Sequence, residues 1–149
     1  MSRYALLLLG MATAFAVRPA PATQPYCPSS AHATPAKVPP SLVADVARVF
    51  LLDEDAARHA AFVRCVGPKL LACYIGANIN CFKADTRRTV PGATAWCREH
   101  PGAAFIPMSA TGHATIYDWS CKNDEAVAGK ILMPVDAQGY IAGNWKEIR

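Results

Sequence analysis

No glycine-rich phosphate loop, nucleophile elbow or dinucleotide fingerprint occurs in the 149 residues. The common sequence routes to nucleotide binding and acyl-enzyme chemistry are therefore missing. No Cys-x-x-Cys pair occurs either, which removes the usual redox dithiol. From Cys65 onward, consecutive cysteines are 8, 8, 16 and 24 residues apart. Zinc knuckles need cysteines two to four residues apart, and His59, His100 and His113 are scattered, so no metal and no cofactor is expected. Charge is sparse, with 15 Lys+Arg against 11 Asp+Glu. A balance so near neutrality gives no electrostatic reason to expect a nucleic-acid partner or an anionic membrane surface. Long apolar runs are absent after the N-terminus, so no stable membrane anchor is expected in the mature chain.

The N-terminus itself is informative. Arg3 supplies a positive start, and Ala5 to Val17 form an apolar stretch too short to span a bilayer comfortably. Ala20-Pro21-Ala22 places small residues where a signal peptidase needs them. Residues 1–22 therefore read as a secretory signal cleaved between Ala22 and Thr23, with Ala14-Phe15-Ala16 as a second candidate. The residues before Cys27 are Gln24-Pro25-Tyr26, not the small and aliphatic residues of a lipoprotein box. The expected location is periplasmic or secreted. Loss of Arg3 and Arg18 with the signal would leave a mature net charge of +2, against +4 for the full chain.

Pro25, Pro28, Pro35, Pro39 and Pro40 lie among Ala, Ser and Thr, so residues 23–40 read as a semi-stiff tail carrying Cys27. A single globular domain is expected over 41–149. Ser41 is a cap for a helix from Leu42, whose apolar residues Leu42, Val43, Val46, Val49 and Phe50 recur at helical spacing. Asp53-Glu54-Asp55 suits either a second helix start or a loop. From Ala60 the period becomes two. Strands on either side of Gly67-Pro68-Lys69 form a hairpin, with Cys65 opposite Cys73 and Val63, Leu71 and Ile75 facing inward. Gly76 to Thr89 is a polar loop. A helix over Ala93–His100 directs Trp96 and Cys97 inward. Strands are expected near Ala104–Met108, Ala114–Cys121, Ala126–Met133 and Tyr140–Trp145. The fold class is α+β: a small, mostly antiparallel sheet with one or two covering helices, stapled by disulfides. A partly open barrel is the alternative.

Six cysteines after a signal read as a disulfide framework. Six allow 15 pairings, and sequence alone does not choose among them. Facing positions favour Cys65–Cys73, loop closure favours Cys81–Cys97, and Cys27–Cys121 remains. Intermolecular pairing of Cys27 is the competing scheme.

Lys83, Arg87 and Arg88 form the basic cluster and, with Thr111 and His113, the expected contact surface. Such a surface suits a carboxylate- or phosphate-bearing envelope fragment or an acidic protein. His113 is the weak catalytic candidate, with Asp118 as orienting acid and Ser109 or Thr111 as nominal nucleophile. Their odd spacing along a strand points His113 and Asp118 to opposite faces. Tyr117, Trp119, Tyr140 and Trp145 gather toward the C-terminus, as core volume or as a binding face.

Leu71-Ala72-Cys73-Tyr74-Ile75-Gly76-Ala77-Asn78-Ile79-Asn80-Cys81, Ala95-Trp96-Cys97-Arg98-Glu99-His100-Pro101-Gly102 and Thr111-Gly112-His113-Ala114-Thr115-Ile116-Tyr117-Asp118-Trp119-Ser120-Cys121 resemble a group of small secreted bacterial proteins with no assigned activity. Phe105-Ile106-Pro107 and Gly139-Tyr140-Ile141-Ala142 belong to the same likeness, which spans roughly residues 60–145. The resemblance implies no catalytic residue and no ligand. Tyr117-x-Trp119 followed by Lys122 is similar to one edge of periplasmic lysozyme inhibitors, whose inhibitory Ser and Lys loop has no counterpart here. The expected function is binding of a cell-envelope component or a protein partner. A small envelope hydrolase using His113 and a structural or stress-related envelope protein without a ligand are the alternatives.

Overall fold

The computed structural model describes residues 26–27, 34–76 and 78–148. Residues 1–22, read from the sequence as a signal, lie outside them. The elements run β1 (Ala36–Lys37), α1 (Val43–Phe50), α2 (Glu54–Ala60), β2 (Ala61–Val66), β3 (Lys69–Tyr74), α3 (Pro91–Glu99), α4 (Met108–Thr111), β4 (Tyr117–Lys122), β5 (Glu125–Ile131) and β6 (Lys146–Glu147). One sheet has the order β1-β2-β3-β6, and a second holds β4 and β5. All strand pairs are antiparallel. The fold is α+β, and among the described residues neither sheet closes into a barrel.

The stretch read as a tail contributes structure. β1 is an edge strand on β2, and Val38 is buried against α1. Pro40–Leu42 form a 3-10 turn ahead of α1, so the α-helix starts one residue later than expected, and no side-chain cap is made. Proline fits such a first turn, where its missing N–H has no partner to lose. Asp53 does cap α2: its carboxylate accepts from the Ala56 N–H at 2.7 Å. That bond resolves the choice between helix and loop at Asp53-Glu54-Asp55.

The hairpin β2–β3 organises everything around it. Its turn is the two residues Gly67-Pro68, with Gly67 at φ +57°. Val66 pairs with Lys69, and the register continues to Ala61 opposite Tyr74. Cys65 therefore lies opposite Leu70, and Cys73 opposite Phe62. The expected register, with a three-residue turn, is shifted. Under the observed pairing Ala61, Val63, Cys65, Leu70, Ala72 and Tyr74 share one face, while Phe62, Arg64, Leu71 and Cys73 share the other. The expected inward set of Val63, Cys65, Leu71, Cys73 and Ile75 is thus divided between two faces. Both faces are covered. Ala61, Val63 and Ala72 pack on Val43, Val46, Ala47 and Ala57 of the helices. Cys73 packs with Cys81, Tyr140 and Trp145, against Phe62 and Leu71.

This parity decides the disulfides. The bonds are Cys27–Cys65, Cys73–Cys81 and Cys97–Cys121. None of the three expected pairings forms. Cys65 and Cys73 cannot join because they project from opposite faces of one hairpin. Cys65 instead holds the N-terminal segment through Cys27, an intramolecular bond. Cys73 takes Cys81 from the loop that follows it. Cys97 on α3 is left facing Cys121 on β4, both in a second core with Ala93, Ile106 and Trp119. Three disulfides are the usage of oxidising compartments. No helix among the described residues is long and apolar enough to cross a membrane.

Two expected strands take other forms. Ala103 and Ile106 bond to β4 (Cys121 N–H to Ala103 O, Ile106 N–H to Trp119 O), but Pro107 has no N–H to continue a ladder and begins the turn into α4. Tyr140 and Ile141 make isolated bridges before a 3-10 turn at Ala142–Asn144, so the last strand is only β6.

On the second face of the hairpin, Arg64 is 2% exposed. Its guanidinium lies 4.4 Å from the ring centres of both Tyr140 and Trp145 and pairs with Asp136. The other Asp136 oxygen accepts from the Gln138 and Tyr140 N–H groups at 2.9 and 3.0 Å. Burial raises the Asp136 carboxyl pKa, but these backbone bonds and Arg64 outweigh it and hold the carboxyl below its ordinary value. The folded carboxyl thus binds protons less readily than the unfolded one. Its stabilisation is complete above about pH 4 and is lost as pH falls through the depressed folded pKa. Acid titration of Asp136→Asn should lack that loss, and its neutral-pH stability should be lower by about 3 kcal/mol because Arg64 is left buried without a counter-charge. Denaturant melts at neutral and acid pH check both.

Candidate functional site

The Cys73–Cys81 bond closes the loop after β3 and forces it to turn back on itself. Asn80 fixes the loop end. Its amide donates to the Phe82 and Lys83 carbonyls at 3.2 and 3.1 Å and accepts from the Phe82 N–H at 3.0 Å. Asn144 donates to the Asn80 carbonyl at 2.9 Å, which ties the loop to the C-terminal segment. With both cysteines buried beneath it, the loop has no core left for its other apolar residues. Ile75, Ile79 and Phe82 are 38, 40 and 50% exposed. Phe82 leans on Phe62 edge to face, with ring centres 5.1 Å apart.

These residues line an open cleft of about 370 Å³ together with Gly76, Asn80, Cys81, His113 and Ala114. His113 arrives from the second half of the chain because Asp85 and Thr115 form a parallel bridge, with the Asp85 N–H donating to Ala114 O at 2.7 Å. The loop 83–88 and the turn at 111–114 are therefore neighbours. Gly112, at φ +89°, ends α4 and turns the chain into His113. Thr111 is buried at 4% exposure and belongs to the packing of α4.

The three basic residues are exposed, and each contacts another part of the same chain. Lys83 lies 4.2 Å over the Tyr140 ring and donates to Gln138 O. Arg87 grips Asp85 through Nε at 2.9 Å and Nη2 at 2.6 Å. That side-chain bond, helped by the Arg87 backbone N–H and its charge, holds the Asp85 carboxyl below its ordinary range against a small rise from burial. Asp85 in turn raises the Arg87 pKa. Arg88 donates to Ala128 O at 3.1 Å and lies 4.5 Å over Tyr117. The cluster is a set of separate ties rather than an anion cradle.

The hydrolytic constellation is not assembled. Among the described residues no hydrogen bond or ion pair joins His113 to Asp118. Asp118 packs over Gly129, where an added Cβ would collide with its carboxylate, and one Asp118 oxygen is buried without a hydrogen-bond partner. All six cysteines are oxidised, so none offers a thiolate. Among the described residues no three His, Cys, Asp or Glu side chains converge as a metal set.

Sequence reasoning singled out His113, which lines the cleft, but did not single out Ile75, Ile79 and Phe82 as a surface. Ile79 and Phe82 were legible as large apolar residues in a loop with neither a strand nor a helix period. If the basic residues act as internal ties, Lys83→Ala should lower stability by about 0.5–1 kcal/mol through its ring contact. Arg87→Ala should leave the thermal midpoint almost unchanged, because Arg87 lies in solvent. Thermal melts of the two variants check this. No family model, curated protein or solved structure matches this chain.

Proposed function

We propose that this chain is an exported, disulfide-stapled binding domain for a cell-envelope component or a protein partner, and that its contact site is the cleft between the 75–82 loop and His113. The observation that carries this reading is the exposure of Ile75, Ile79 and Phe82 beside the ties made by Cys73–Cys81 and Asn80. Apolar side chains left in water beside one another are the usual anchor of an interface. His113 supplies a hydrogen-bonding group at the rim. The three disulfides and the N-terminal Arg3, apolar stretch and Ala20-Pro21-Ala22 support export through a cleaved signal to a periplasm or the medium. Binding rather than turnover is favoured because His113 and Asp118 are not joined.

The test is photo-crosslinking in the producing cell, with a benzoyl-phenylalanine at position 79 and a control at position 51, where Leu51 is 91% exposed far along the chain from the cleft residues. Adducts specific to position 79, lost when Phe82→Ser is added, are expected. Equal or absent adducts at the two positions remove the cleft from consideration. A melt of Phe82→Ser should show a folded protein, destabilised by no more than about 0.5–1.5 kcal/mol for the lost ring contact with Phe62, which separates lost binding from lost folding.

A further inference from the structure

β5 is hydrogen-bonded to β4 along one edge only. Its other edge has no backbone partner among the described residues. The two-residue turn Asn123-Asp124 makes Lys122–Glu125 the closing pair, so Ala126 and Ala128 direct their backbone groups outward. Such an edge is a template for another strand. Apolar side chains line it: Val127, Ile131 and Leu132 are 40, 56 and 55% exposed.

Two features restrain the edge. The β4–β5 register is interrupted between Tyr117 and Trp119, and a bulge there adds local twist. Arg88 then occupies the Ala128 carbonyl at 3.1 Å, braced by its position 4.5 Å over Tyr117. A charged side chain seated on the central acceptor of an open edge prevents a strand from using it.

We propose that the outer edge of β5 is a self-association surface for a second copy of this chain, and that Arg88 holds it shut. The charge order along the strand selects the occupant. Asp124 and Glu125 stand at one end of β5 and Lys130 near the other. Antiparallel pairing of two copies about a two-fold axis sets the acidic end of each against the basic end of its partner. The same axis brings the two rows of Val127 and Ile131 together. The contact is isologous and closes at a dimer.

Sedimentation equilibrium of the full chain tests this with Arg88→Met, which keeps a stem on Tyr117 and removes the donor. R88M should dimerise at least about tenfold more tightly than the wild type, the scale of the two Ala128 acceptors that a two-fold pair of copies releases. Adding Lys130→Glu should return it to monomer by placing like charges together. Should R88M fail to fold by circular dichroism, R88L, which also lacks a donor, is read in the same way. An R88M chain no more associated than the wild type overturns the proposal. Association that Lys130→Glu leaves unchanged places the contact elsewhere and also overturns it.

Discussion

The Gly67-Pro68 turn fixes the parity of the β2–β3 hairpin, and that parity decides what every other part of the molecule can touch. A two-residue turn sets Val66 against Lys69, so the two cysteines of the hairpin project to opposite sides. Glycine at φ +57° is what permits so tight a reversal. Proline contributes by fixing its own φ. One face is then small and apolar and receives α1 and α2. The other face carries a buried cation, and the C-terminal segment must wrap over it.

Arg64 makes that second face specific. A cation buried in a small domain costs solvation free energy unless it is paired and packed. Asp136 supplies the counter-charge, and Tyr140 and Trp145 supply the ring faces. Asp136 also turns the backbone at Gln138 and Tyr140, so one carboxylate sets both the ion pair and the loop that delivers the rings. Lys83 rests on the same Tyr140. Loop 75–82 follows from this arrangement. Its disulfide lies in the core of the second face with Tyr140 and Trp145, and its remaining apolar residues are left at the surface. The exposed cleft is thus a consequence of how the interior is filled.

Period and turn residues made the α+β class and the element starts near Val43, Ala61 and Pro91 readable, whereas Asp53-Glu54-Asp55 left helix and loop open until the Asp53 cap decides it. The Trp119–Cys121 face and the inward Cys97 were readable for the same reason, since both obey local periodicity. Disulfide connectivity was not, because it turns on a single residue of turn length that period-two patterning does not measure. The outer face of β2 misled as well. Arg64 reads as a solvent-side residue in an alternating strand, and only the distant Asp136, Tyr140 and Trp145 make it an interior one. The basic cluster was visible, but its partners Asp85, Ala128 and Gln138 were not all within local reach, so a set of ties looked like a patch. The last strand dissolved into bridges because Gly143 and Asn144 favour a turn over a ladder.

The most direct test of hairpin parity as the organising constraint is the disulfide map of the native protein. Proteolysis without reduction, at a pH that suppresses thiol exchange, followed by mass spectrometry of the linked peptides, reads it. The account predicts Cys27 joined to Cys65, Cys73 to Cys81 and Cys97 to Cys121. A peptide joining Cys65 to Cys73 would place both on one face, require a different turn and contradict the account.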